Sequence, residues 1–127
     1  MKFDSINQEG IDKLMDIFYA KVRKDKNLAP IFNQAIGNDE ESWTKHKQKI
    51  ASFWKGMFLG EGGYNGSPLK AHHDLPPFPR EFFDIWLGLF DESLAEIFTD
   101  EPRNMMLERA KMIAQRFQMI IYDHKFI

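Results

Sequence analysis

Four histidines, three tyrosines and three tryptophans carry most of the chemistry open to this chain of 127 residues. Cysteine is absent, which removes disulfide scaffolds, thiolate zinc sites, cysteine-ligated iron–sulfur clusters and thiol nucleophiles. Its absence also fits a reducing compartment, and a cytoplasmic location is expected. No Glu-x-x-His, His-Glu-x-x-His or Walker pattern occurs. Gly60-Glu61-Gly62-Gly63 does not open a helix after a strand, so it is no dinucleotide fingerprint. What remains is imidazole among aromatic rings. His46 follows Trp43 by three residues and precedes Ile50 by four, so it points into an apolar helical stripe. His72 and His73 point about 100° apart on a helix, so one turns inward. Leu69 and Leu75, three residues to either side, favour His72. His124 falls in the last helical turn or the tail.

One inward histidine on a short helix can ligate a haem iron from one side. A second inward histidine, a tyrosine at the edge of an apolar face and a tryptophan on a central helix can meet on the other. Phe18, Phe32, Ile50, Phe53, Trp54, Phe82 and Phe83 then form apolar walls. Apolar walls with a few convergent polar groups are the composition of a buried cofactor slot. Each of these aromatic residues, taken alone, is equally at home in an ordinary helical core.

The elements that must hold these residues read as helices. Valine occurs once and threonine twice, which starves a sheet of two preferred residues. Ser5 and Gln8 have capping-box spacing. Ile11, Leu14, Met15, Phe18 and Val22 follow on one face, with Tyr19 at its edge. Residues 28–32, with Pro30 inside, read as a tight corner or short irregular helix. Asn38 and Glu41 repeat the capping spacing ahead of a stripe of Trp43, His46, Ile50, Phe53, Trp54 and Met57. The lysines at 45, 47 and 49 read as a solvated face. Gly60, Gly62, Gly63 and Gly66 end that helix. Ser67 and Pro68 open a short one running to His72 or His73, which Pro76, Pro77 and Pro79 stop. A helix from near Arg80 is apolar on most sides and should be central. Thr99 or Asp100 caps the last, whose buried face is Leu107, Ala110, Ile113, Ala114, Phe117, Ile120 and Ile121. The chain is therefore expected to be all-α and, at this length, a single domain over 1–127.

The combined pattern resembles a group III bacterial truncated haemoglobin. The residues that carry the resemblance are Phe18-Tyr19, Pro30-Ile31-Phe32, Trp43-x-x-His46-Lys47, Phe53-Trp54, Pro68-Leu69-x-x-His72, and Leu75-Pro76-Pro77-Phe78 leading to Phe82-x-x-x-Trp86. The resemblance covers essentially the whole chain and implies a shortened globin fold, helices packed two over two around haem b. It implies His72 as the proximal iron ligand and Tyr19 as the main hydrogen-bond donor to the bound ligand. Trp86 would be a second distal donor and His46 a distal gate. Phe32 would be the corner phenylalanine against the porphyrin, with Ile50 and Trp54 on the distal face.

Two donors over one ligand slow its release, which argues against a carrier that unloads readily. The expected function is tight binding of dioxygen and other diatomic gases, with peroxide, nitric oxide or oxygen redox chemistry. An outside reductase is needed, because 127 residues leave no room for a flavin domain. A passive oxygen store or gas sensor, and a haem-free helical interaction module, are the alternatives. A net charge of −2 gives no reason to expect nucleic acid, no apolar run is long enough to span a membrane, and a monomer is expected.

Overall fold

Asn7 opens the first helix by turning its side-chain oxygen onto the Gly10 amide at 2.7 Å. The cap lies two residues beyond the expected Ser5, because Phe3 is already committed to an extended pairing. Phe3 donates to the Ile97 carbonyl and accepts from Thr99, both at 2.9 Å, so the chain enters the helix only after Ile6. The computed structural model describes residues 2–60 and 79–122, with side chains through Gln118 in the last helix. Among these residues there are five helices and no strand: α1 Gln8–Lys24, α2 Leu28–Ile36, α3 Glu40–Leu59, α4 Phe82–Ile97 and α5 Asp100–Tyr122. His72, His73, His124, the short helix expected at Ser67-Pro68 and the side chains of Ile120 and Ile121 lie outside the described residues.

The 28–32 corner is a regular helix, α2. Pro30 sits in its first turn, where a backbone N–H has no intrahelical acceptor to lose. The Asp25 carboxylate takes up the free amides of Asn27 and Leu28 at 2.8 and 2.9 Å. Asp39, not Asn38, caps α3, accepting from the Ser42 amide at 2.9 Å. Gly37 and Asn38 are used in making the turn, and a carboxylate is favoured at the positive end of the helix. Gly60 ends α3 in the left-handed conformation, φ 71°. The expected start near Arg80 is a turn of i→i+3 bonds, and α4 follows from Phe82.

The α1 stripe is buried as read, with Ile11, Leu14 and Val22 fully so. Tyr19 is not at an edge but inside, 5% exposed. Helix α1 contacts α2, α3 and α4, and α4 in turn contacts α5. Two helix pairs, α1/α3 and α4/α5, are thus joined through α1 and α4. The last helix buries Met106, Ala110, Ala114 and Phe117, while Leu107 and Ile113 are half-buried.

Two contacts help fix how these helices meet. Gly10 lets α1 approach the turn after α4: a Cβ there would sit 2.6 Å from Cζ of the buried Phe98 ring. Replacing Gly10 by Ala should destabilise the fold by about 1–2 kcal/mol, because overpacking outweighs the helix-propensity gain. A lower unfolding midpoint in denaturant is the expected result. Between α4 and α5, Arg103 donates two bonds to Asp91, at 2.8 and 3.1 Å. That hydrogen bonding holds the Asp91 carboxyl below its usual range, against a smaller opposing effect of burial. The stabilisation is therefore present above about pH 4 and fades as pH falls through the lowered native value. Asp91→Asn should lower stability at pH 7 and lose its effect in acid, so unfolding curves of the two proteins should converge there.

Candidate functional site

Three helices converge on a small apolar cleft and a fourth closes its side. Helix α1 contributes Met15, Phe18 and Tyr19; α3 contributes Ile50, Phe53 and Trp54. Trp86 and Phe90 come from α4, Ile113 and Phe117 from α5. The cavity between them is about 30 Å3, which suits one or two molecules the size of water or a diatomic gas. Its walls are stacked rings. Trp86 lies parallel to Phe90, centroids 5.5 Å apart and planes 4° off. Trp54 stacks on the same phenylalanine at 5.5 Å, and Phe18 meets both Trp86 and Phe90 edge-on.

Into this apolar surface the chain brings two groups able to donate a hydrogen bond, the Tyr19 phenol and the Trp86 indole. Burial pushes the Tyr19 phenol well above its ordinary value, so it stays neutral and keeps its proton. The Trp86 N–H can only donate. His46 packs edge-on to Tyr19, ring centroids 5.0 Å apart, with its Nε2 shielded from solvent. It does not line the cleft; it stands one ring further out.

Of the residues singled out from sequence, Phe18, Tyr19, Ile50, Phe53, Trp54 and Trp86 come together at this cleft, whereas Phe83 is buried beside Ala114 and Phe117 without lining it. Phe32 is buried in the main core and Phe82 is packed against that core, and neither lines the cleft. His72 lies outside the described residues. Met15, Phe90, Ile113 and Phe117 line the cleft without having been read as walls. All four sit in the apolar stripes of their helices, but stripe periodicity does not separate a residue facing a cavity from one facing another helix. Lys47 is more than a solvated face, for its ammonium pairs with Asp16 across α1 and α3 at 3.0 Å. No group of three or more histidine or acidic side chains suited to a metal occurs among the described residues. No described helix is long and apolar enough to cross a membrane.

The family model of the bacterial-like globins matches residues 2–120. The chain is 62% identical over 124 residues, 98% of each protein, to the group 3 truncated hemoglobin ctb of Campylobacter jejuni. This chain belongs to the group III truncated haemoglobins. A crystal structure of the group III truncated hemoglobin from Campylobacter jejuni superposes with a TM-score of 0.93 at 63% identity, over 96% of each chain. The likeness extends more weakly to the group 2 truncated hemoglobin YjbI of Bacillus subtilis, 25% identical over 114 residues, 89% of this chain and 84% of that one. The two helix pairs described above are thus the two-over-two sandwich of a truncated haemoglobin, and haem-based binding of gases is the general property of its family.

The residues lining the cleft are chemically suited to face a flat apolar macrocycle, while the cavity itself, about 30 Å3, holds only a small guest. Aromatic and aliphatic side chains make its walls, and a neutral phenol and an indole are the polar groups within reach. Because the Tyr19 phenol is held protonated, its donor capacity should not change between about pH 6 and about pH 10. The tyrosinate absorbance of the protein, recorded against pH, should therefore rise identically in the parent and in Tyr19→Phe up to about pH 10; a smaller rise in the variant would show that the Tyr19 phenol ionises in that range.

Proposed function

We propose that the chain binds haem b, with His72 as proximal ligand, and retains dioxygen or another diatomic gas by donors on the distal side. The observation that carries this reading is the meeting of Tyr19 and Trp86 on one small, otherwise apolar cavity. When bound, the haem supplies an open coordination position at which a diatomic guest gains electron density. Tyr19 and Trp86 are the groups suited to donate to such a guest in a low-dielectric pocket. Each hydrogen bond contributes about 1–1.5 kcal/mol, nearly tenfold in affinity. Ile50, Phe53 and Trp54 exclude water from around it. His46, beside Tyr19 and just outside the cleft, acts as a gate and as a source or acceptor of protons.

Retention of this kind favours chemistry on the guest over its unloading: oxygen or peroxide redox chemistry, or nitric oxide dioxygenation. Sustained turnover then draws electrons from a reductase outside this chain. A storage role requires the opposite, ready release.

Two variants test the reading together. His72→Leu should lose the five-coordinate ferrous absorption spectrum, and His73→Leu should keep it. Tyr19→Phe keeps the ring and removes only the hydroxyl, so oxygen release should quicken by about tenfold. Trp86→Phe should quicken it separately, and the double variant should not be additive, since both donors share one acceptor. If the parent already releases oxygen as fast as a storage globin, and Tyr19→Phe does too, the two-donor arrangement is absent and a passive store takes its place.

A further inference from the structure

Behind the distal polar side chains stands one fully buried ring. The Trp43 indole lies 5.8 Å from the Tyr19 ring and 6.0 Å from the His46 ring, centroid to centroid. Tyr19 and His46 are themselves 5.0 Å apart, edge to face. The three rings form a triangle in which only Tyr19 reaches the cleft. Trp43 therefore touches both side chains without touching the guest's cavity.

The indole is pinned in two ways. Its Nε1–H donates to the Gly37 carbonyl at 2.9 Å. Gly37 has φ 118°, a conformation that side-chain-bearing residues rarely adopt, so the direction of that carbonyl is set by a residue for which glycine is needed. On its face, the Arg23 guanidinium sits 4.9 Å from the ring centroid, an attractive placement for a cation. Arg23 is held there by the Glu40 carboxylate at 2.9 Å. The α2–α3 corner and the end of α1 thus clamp one ring, and that ring abuts Tyr19 and His46.

A phenol oxygen lies at the far end of its side chain. Modest rotation about Cα–Cβ is inexpensive, yet it carries the oxygen out of hydrogen-bond reach of a small guest. Something behind the ring must prevent that rotation. We propose that Trp43 is a positioning residue: its clamped indole holds the Tyr19 hydroxyl aimed into the cleft and the His46 ring beside it, just outside the cleft. This rests on the reading of Tyr19 as the donor to the guest.

The test is the infrared spectrum of the carbon monoxide complex of the haem-loaded protein. The C–O stretch falls when a donor points at the ligand and rises when the donor is lost. The parent should show one dominant band, and Tyr19→Phe should shift it to higher frequency. Trp43→Phe should show a second band at the Tyr19→Phe position, with about a tenth or more of the intensity, from protein in which Tyr19 has turned away. Arg23→Met, at a half-exposed position that does not endanger the core, should show the same second band more weakly, and Arg23→Lys should restore the parent spectrum in part. If Tyr19→Phe shifts the band while Trp43→Phe and Arg23→Met keep the single parent band, whatever their unfolding temperatures, Trp43 is a core residue and nothing more. If Trp43→Phe fails to fold, Arg23→Met with the parent band overturns the proposal, and with the second band supports it. An unmoved band in Tyr19→Phe removes the donor reading itself, and the positioning role with it.

Discussion

Everything at the cleft depends on one helix stripe being shared by several partners. Helix α1 has a single apolar face, yet it must pack against α2, α3 and α4. Ile11, Leu14 and Val22 are spent entirely in that packing. Met15, Phe18 and Tyr19, lying between Leu14 and Val22 on the helix, line the cavity shared with α3, α4 and α5. Tyr19 is brought to the cavity wall by a helix tied down at both ends. At the start, Gly10 seats against Phe98 and Asn7 caps the first turn. At the end, Arg23 reaches across to Glu40 at the start of α3.

The walls answer a different requirement. A small cavity persists only where its walls do not shift to fill it, and stacked rings resist such shifts, since moving one displaces the next. Phe90 is the shared member here, with Trp86 parallel to it, Trp54 stacked on it at 25° and Phe18 at right angles. Outside this aromatic layer, Asp12–Lys55 and Asp16–Lys47 bridge α1 to α3 at 2.9 and 3.0 Å. Exposed pairs of this kind add little stability singly, but they fix which faces of the two helices oppose each other, and so where Tyr19 lies relative to Ile50 and Trp54.

The helical stripes were legible in the sequence because burial repeats with the helix period: Ile11 to Val22 and Trp43 to Met57 follow it closely. Cap residues were less so. Ser5, Asn7, Asn38 and Asp39 are all good caps by type, and the choice among them follows from where Phe3 and Gly37 leave the chain, which is tertiary information. Pro30 read as a breaker because a proline stops a helix from within, whereas in a first turn it costs nothing. Tyr19 and Trp86 emerged as site residues through family resemblance, since period alone makes them core aromatics. Phe90 and Phe117 were missed as walls for the mirror-image reason: they are ordinary stripe residues that also line the cleft. Trp43 read as one more core aromatic, and only its contacts with Tyr19, His46, Gly37 and Arg23 set it apart.

The central claim is that this cleft is the distal side of a haem site where the buried Tyr19 phenol and the half-buried Trp86 indole meet a diatomic gas. The most direct measurement is the absorption spectrum of the purified, haem-supplied protein, recorded under anaerobic reducing conditions and again after dioxygen is admitted. An intense Soret band of a five-coordinate ferrous haem, converting to a stable oxygenated spectrum, is the predicted result. A well-folded helical protein that takes up no haem, or whose ferrous spectrum is unchanged by dioxygen, would contradict it.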